Sequence, residues 1–419
     1  MATQSTRPDH VVVVGAGMVG LAAAWFLQEE SVRVTVVDRE GVAAGSSWGN
    51  AGWLAPALTL PLPDPAILGT GVKATLSPSS PVYVPFTTNP QLLRFLAEFA
   101  RNCTPARWRQ AMRVFTEANA RALDAFATLN DGGVAEPTLE AKPFVAAFLS
   151  ESDRQGLVDE FEHVAEVGGR TDYELVDGDA TREHEPTLSD EVTHGVLLHG
   201  QRYINPGRYV HALADAVRTR GGEVRDGVEV DSVDGQGVRT IDGEVIAADA
   251  VVIASGTWLG RLARSHGVTT IVQAGRGYSF FVEPEETPSH PIYFPTQRVA
   301  CTPIESSDGV PGLRVAGMME FRKPKAPPDP RRIKAIVDAA APLLQGVDWS
   351  ARTNEWVGSR PCTADGLPLV GATRTPGVHV AGGHGMWGIA LGPLTGQLVA
   401  AQITRGETPD LLRRLDPLR

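Results

Sequence analysis

The sequence predicts an α/β architecture joined to an α+β part: a doubly wound parallel sheet that is rejoined late in the chain, and a second domain on an antiparallel sheet. Three observations predict it. The unbroken β-branched run Val11 to Val14 reads as a strand buried on both faces; it turns into a helix through closely spaced glycines, and a second apolar strand, Val34 to Val37, follows. Far downstream Ala250 to Gly256 repeats the pattern of an apolar strand ending in small residues. From Val272 to Glu320 the text changes to short strand-like runs between proline and glycine turns, the mark of antiparallel pairing.

The first of these stretches carries the chemistry. Gly15-Ala16-Gly17-Met18-Val19-Gly20 is G-x-G-x-x-G at a strand-to-helix turn. Gly15 serves the tight turn, Gly17 leaves room for a pyrophosphate, and Gly20 lets helix and strand pack closely. Free N–H groups at the start of the helix, read over Leu21 to Gln28, point at an anion. Asp38 closes the second strand about 20 residues on, where a carboxylate accepts hydrogen bonds from a ribose 2′-hydroxyl and repels a 2′-phosphate. The reading is an adenine dinucleotide, FAD or NAD. Val11 to Leu27 is also an uncharged run of nearly membrane-spanning length after Arg7, but its glycine spacing and the acid-tipped second strand argue against a signal or anchor.

A chain of 419 residues exceeds one ordinary core, so two domains are expected. A formal charge of −11 argues against nucleic acid as a partner, since a phosphate footprint wants clustered Lys and Arg. Cys103, Cys301 and Cys362 form no CxxC and suit a reducing compartment, so the expected location is the cytoplasm.

After Asp38 the small-residue loop Gly45 to Trp53 offers hydroxyls, an amide and open backbone to a second part of an extended cofactor. Leu54 to Asn89, rich in proline, reads as irregular backbone crossing a surface. Pro90 to Phe115 reads as a basic amphipathic helix, with Arg94, Arg101, Arg107, Arg109 and Arg113 interleaved with Leu92, Phe95, Phe99 and Trp108. Such a helix is either a solvated face over a core stripe or a surface that lies on the inner face of an anionic membrane. Helix and loop run to about Arg170; Tyr173 to Val176 and Gly195 to His199 are short strands. Asn205-Pro206 opens a helix to Arg220. Small strands follow near Val228, Gly237 and Val245, and Pro330 to Leu344 is a late helix.

The closing text is Gly358-Ser359-Arg360-Pro361-Cys362-Thr363-Ala364-Asp365-Gly366, then Ala381-Gly382-Gly383-His384-Gly385-Met386-Trp387-Gly388 and a helix from Pro393. With the amino-terminal glycines and Asn50-Ala51-Gly52, this resembles the D-amino-acid oxidase superfamily of FAD enzymes, most of all the bacterial D-amino-acid dehydrogenases, with glycine and sarcosine oxidases more distant. Gly277-Tyr278-Ser279 and Arg314 to Glu320 extend the likeness over nearly the whole chain. The resemblance implies a Rossmann-like FAD-binding domain (8–60, 200–262 and 355–419) and a discontinuous substrate domain (61–199 and 263–354) on an antiparallel sheet.

It also implies non-covalent FAD, held by Gly15, Ala16, Gly17, Met18, Val19, Gly20, Asp38, Arg39, Ser46, Ser47, Asn50, Ala51, Gly52, Trp53, Val228, Ser255, Gly256, Arg360, Gly383, His384, Gly385, Met386, Trp387 and Gly388. Arg360 is the expected anchor of a substrate carboxylate, its planar fork suiting bidentate capture. A substrate tyrosine that some related oxidases place where this chain has Val299-Ala300-Cys301 is either absent here or supplied by Tyr278 or Tyr293. Trp387 and Trp53 are candidates for an aromatic wall, His384 for a proton carrier, and Cys362 for a small apolar filler. The helix from Pro393 is expected to aim its positive end at the flavin and favour an anionic reduced ring.

The expected reaction is hydride transfer from Cα of a D-amino acid to flavin N5, giving an imino acid and then a 2-oxo acid, with oxygen, a quinone or a dye as acceptor. Alternatives are a glycine-, sarcosine- or proline-type amine oxidase using oxygen, an NAD-dependent dehydrogenase, and a flavin-carrying subunit of a larger complex.

Overall fold

A computed structural model describes residues 7–65 and 77–419. Its amino-terminal unit is β1 (His10–Val14), α1 (Met18–Glu29) and β2 (Arg33–Val37). Then come α2 (Pro90–Asn102), α3 (Pro105–Asp131), β3 (Phe144–Phe148), α4 (Glu151–Glu166), β4 (Tyr173–Asp177), β5 (His194–Leu198), α5 (Pro206–Thr219), β6 (Glu223–Arg225) and β7 (Ala250–Ile253). The remainder supplies β8 (Gln273–Val282), β9 (Ile292–Phe294), β10 (Val299–Glu305), β11 (Pro311–Phe321), α6 (Pro330–Ala340), β12 (Thr353–Cys362), β13 (Leu369–Ala372), β14 (Val378–Gly382) and α7 (Gly392–Arg405).

The first sheet has the order β6-β2-β1-β7-β14-β13, parallel except for β13. β1 is buried along its whole length, as a β-branched strand between layers requires. Helices α1 and α7 cross through Gly392 and Gly396; a Cβ on Gly396 would lie 2.6 Å from the Ala22 carbonyl carbon, so only glycine permits this approach. Both helix amino termini therefore converge on one end of the sheet. Ser31, in the turn between α1 and β2, takes the left-handed conformation at φ 55°.

The second sheet runs β12-β8-β11-β10-β9-β3-β5-β4, with Val82–Tyr83 added beside Met319–Glu320. It is antiparallel except where β9 joins β3 and at Val82–Tyr83, so the sheet expected to be antiparallel is mixed. β3 lies in the stretch expected to be helix and loop, because five apolar residues are too few for periodicity to reveal a strand.

One face of this sheet, with Tyr278, Phe280, Val299, Cys301 and Val315, packs on α6 through Ile333 and Ile336. The other face turns toward the loop after β2, where the Ser279 hydroxyl donates to Gly49 O at 2.7 Å and the Thr302 hydroxyl to Ala51 O at 2.7 Å.

The basic stretch Pro90 to Phe115 is two helices rather than one. Thr104 caps the second, accepting from the Arg107 amide, and Pro105 occupies its first turn. Leu92, Phe95 and Phe99 point inward, Phe95 lying 5.4 Å from Phe321, so the apolar stripe is core and the arginines form the solvated face. No helix among the described residues is long and apolar enough to cross a membrane. Part of the proline-rich segment, 66–76, lies outside the described residues; the rest holds a 3-10 turn at Pro56–Leu58 and the strand Val82–Tyr83.

On the α6 side an ion pair is sealed in the core. Arg276 Nη1 meets Glu320 Oε1 at 2.8 Å, the side chains 2% and 0% exposed, and the Tyr278 hydroxyl donates to the same oxygen at 2.8 Å. Removing one partner strands a buried charge, whereas removing both does not. Glu320→Leu is expected to lower unfolding free energy by about 3–5 kcal/mol and Arg276→Met/Glu320→Leu by clearly less; urea denaturation monitored by tryptophan fluorescence reads the difference.

Candidate active site

The carboxyl edges of β1, β2, β7 and β14 open on a cleft of about 1230 Å³. Gly15, Gly17, Met18 and Val19 line it from the turn, Asp38 and Arg39 from the end of β2, and Ser46, Ser47 and Asn50 from the following loop. Val228, Ser255 and Gly256 form the next wall; Arg360, His384, Gly385, Met386 and Gly388 complete it. Ligands gather at this edge in doubly wound sheets because the strands diverge there and helix amino termini point in.

The three motif glycines have separate physical reasons. Gly15 sits at φ +122°, and a Cβ there would lie 2.4 Å from Ala254 O. On Gly20 a Cβ would lie 1.9 Å from Gly15 O, so helix and strand could not close. Gly17 has an ordinary backbone, φ −85°, and the nearest atom to its Cβ would be the Ser47 hydroxyl at 3.3 Å. Its smallness serves something outside the chain, as a pyrophosphate over the α1 amino terminus requires.

Asp38 is fixed by backbone amides of its own chain. Its Oδ2 accepts from Ala16 N at 2.9 Å, and Oδ1 from Glu40 N and Gly41 N at 2.9 and 3.0 Å. The buried Ser255 hydroxyl in the cleft wall has no hydrogen-bond partner, a demand that a ligand oxygen or nitrogen would meet. Arg39 stacks over Trp258 at 4.3 Å at the same end. The residues present fit an extended adenine dinucleotide.

Several expected cofactor residues do not line this cleft. Ala16 acts through its amide on Asp38 and Gly20 through packing. A Cβ on Gly52 would lie 2.1 Å from Ile204 O, and one on Gly383 2.9 Å from a Thr363 methyl, so both are glycine for the fold. Ala51 lends its carbonyl to Thr302, Trp53 donates to Thr302 Oγ1 at 2.9 Å, and Trp387 donates to Leu60 O at 2.6 Å.

Arg360 sits on β12 where the two sheets meet. Ser46 Oγ donates to Ser359 O at 2.5 Å, and Gly385 N to Pro361 O at 2.8 Å, fixing the backbone on both sides of it. Its guanidinium lies on Gly277 and gives one bond, Nη1 to Met318 O at 2.9 Å. Burial pushes its pKa down, and no carboxylate among the described residues opposes that effect. A desolvated guanidinium with unused donors is a site for an anion.

Beside Arg360 the sheet face carries small side chains. Cross-strand partners share a face, and Ser279, Ala316, Ala300 and Tyr293 are partners in sequence across β8, β11, β10 and β9. Gly277 lies on that face, two residues from Ser279. Small side chains thus separate Arg360 from Tyr293, whose ring stands 5.2 Å from Trp53. Of the two tyrosines expected near a substrate, Tyr293 is on this face. Tyr278 is not: strand alternation turns it to the α6 side, where Glu320 takes its hydroxyl.

His384 is hydrogen-bonded to Thr395 Oγ1 at 2.8 Å, and burial lowers its pKa to about 4. It is neutral at physiological pH, which does not match the proton carrier expected of it. Cys362 is buried, free, and pushed up to about 12 by burial, so it remains a protonated filler. Sequence reasoning did not find Ala300, Ala316 or Met318. Small strand residues look like packing, and the left-handed φ of Met318, 59°, leaves no trace in residue type.

A family model described as "DAO: FAD dependent oxidoreductase" matches residues 10–402. Among solved structures, glycine oxidase from Geobacillus kaustophilus is similar at 23% identity and TM-score 0.72, covering 99% of each chain. Glycine oxidase from Bacillus cereus ATCC 14579 is similar at 21% identity and TM-score 0.71, over 96% of this chain and 97% of that one. L-proline dehydrogenase from P. horikoshii is similar at 16% identity and TM-score 0.67, over 99% and 98%. At these identities the structural likeness establishes the shared fold.

Two outcomes follow from this geometry. Gly17→Val is expected to yield folded, colourless protein, and Gly20→Val insoluble protein; solubility and flavin absorbance after purification distinguish them. His384, whose pKa falls from 6.5 to about 4 on folding, favours the folded state fully above pH 6.5 and loses that contribution as pH drops toward 4. Melting temperature followed over that range should fall less steeply in His384→Gln than in the parent.

Proposed function

The chain belongs to the DAO family of FAD-dependent oxidoreductases, and on that premise we propose that it oxidises a small D-amino acid at Cα, giving an imino acid that water converts to a 2-oxo acid and ammonia. The observation that carries this reading is the guanidinium of Arg360, without a carboxylate partner among the described residues, at the junction of the FAD cleft with the small-residue face of the second sheet. FAD, when bound, supplies the two-electron, hydride-accepting chemistry.

The chain's own part is placement. Arg360 holds the substrate carboxylate through the donors that Met318 leaves free. Ala316 and Ala300 give Cα and its substituents room, and Trp53 with Tyr293 bounds the far side. Holding reacting atoms at a near-attack distance of roughly 3–3.5 Å converts binding into rate. His384 stays neutral and committed to Thr395, so the amine loses its proton before it binds, and orientation carries the reaction.

The substrates for which the similar proteins are named support this class: glycine and L-proline each present a carboxylate beside a C–N bond. The D configuration rests on the likeness to bacterial D-amino-acid dehydrogenases.

Anaerobic bleaching of the purified protein with D-amino acids, L-amino acids, glycine, sarcosine and proline derivatives tests the reading. We expect D-amino acids to bleach the flavin. Arg360→Ala should reduce kcat/KM by about a hundredfold, the equivalent of roughly 3 kcal/mol for a truncated charge pair. Readmitting air or a quinone then names the acceptor. Bleaching by glycine, sarcosine or proline alone would replace the substrate class, and flavin that no amino acid bleaches would make the chain a carrier subunit.

A further inference from the structure

Resting on the carboxylate role of Arg360, we propose that Gly277 is a positioning residue: with the turned carbonyl of Met318 it forms a seat that holds the Arg360 guanidinium ready for its anion.

Gly277 has no need of a glycine for its own backbone or for strand packing. It pairs with Gly358 in the ladder and is not left-handed. A Cβ built on it would meet one thing closely, the head of Arg360: Nη2 at 2.2 Å, Cζ at 2.3 Å and Nη1 at 2.7 Å. The guanidinium therefore lies flat on the strand where any side chain would stand. An arginine this long, without a carboxylate partner, otherwise has many rotamers to choose from.

The edge of the seat is Met318. The β8–β11 register slips between Arg276 and Tyr278: Tyr278 pairs with Gly317, but Arg276 with Glu320, so β11 carries an extra residue. Met318 takes φ +59° there, and its carbonyl leaves the ladder to accept from Arg360 Nη1 at 2.9 Å. Strain of this kind persists only where surroundings hold it.

Three neighbouring contacts hold it. Met319 O accepts from Arg332 Nη2 at 3.0 Å, and Arg332 also grips the carbonyls of Pro78, Ser80 and Pro81. Glu320 is held by Arg276 and by Tyr278, the two residues flanking Gly277. The floor and the edge are thus tied to one another through the sheet, so a Cβ would push the guanidinium off the Met318 carbonyl. One Arg360 nitrogen is spent on Met318, and the other N–H groups are aimed by that contact.

The test is a double-mutant cycle on the FAD-loaded protein, using the best substrate of the bleaching panel for kinetics and acetate as a competitive carboxylate probe. Gly277→Ala is expected to keep its FAD and raise KM and the acetate inhibition constant about tenfold or more, with a smaller change in kcat. In the Arg360→Ala background it should change neither, because the seat then has no occupant. Parent-like constants in Gly277→Ala, or a loss that persists when Arg360 is absent, would overturn the seat. If Arg360→Ala itself binds substrate and acetate like the parent, the carboxylate reading fails, a result distinct from failure of the seat alone. Should Gly277→Ala not retain FAD, Gly277→Ala/Arg360→Ala decides: recovery of FAD content supports the steric seat, and no recovery overturns it.

Discussion

Everything at the active site depends on how the carbonyl groups of one loop, Ser46 to Trp53, are satisfied. A backbone oxygen removed from water must find a donor. Gly49 O takes its donor from Ser279 and Ala51 O from Thr302, both on the second sheet, while Ser46 returns a hydroxyl to Ser359 O. Arg314 lies over the Trp48 ring at 4.8 Å, its pKa lowered to about 10 by burial. The loop that closes the nucleotide cleft is therefore also the surface on which the substrate sheet rests. Arg360, adjacent to Ser359, is carried to the cleft by that seam.

Three buried arginines show why one of them stands out. Arg276 is neutralised by Glu320 at 2.8 Å. Arg332, wholly buried, has no carboxylate contact but spends its Nη donors on four carbonyls. Either solution offsets desolvation, through charge in one case and through hydrogen bonds in the other. Arg360 has neither: one carbonyl and no acid. Unlike Arg276 and Arg332, Arg360 is left with open donors beside the cleft.

Legibility from sequence followed the range of the interactions involved. The β1–α1–β2 unit was readable because turn, helix and acid all lie within one short segment, and their purposes are local: Gly15 and Gly20 for close approach, Gly17 for a ligand. Strand β7 was readable as an apolar run ending in small residues. β3 was not, since five apolar residues suit a strand or a buried helix equally, and the break between α2 and α3 was hidden inside one continuous basic pattern. At the site, Arg360 was legible by its motif. Its surroundings were not: which tyrosine faces it is a matter of strand alternation, and the bulge at Met318 exists only in the pairing of β8 with β11.

That division explains how a site without a strong base is still built for chemistry. A general base would announce itself as a histidine or carboxylate with a raised or tuned pKa in the cleft. His384 is instead pressed to about 4 and bonded to Thr395, so it contributes shape and a neutral wall. At the Arg360 end of the cleft the amino termini of α1 and α7 converge, and Arg360 adds a full charge. Positive potential beside the reacting carbon favours every negatively charged participant, the substrate carboxylate on arrival and the electron-rich cofactor afterwards. Preorganised charge of this kind needs rigid backing rather than mobile protons, and the clamped bulge at 318–320, with carbonyls and carboxylate each taken by a different arginine, is that backing.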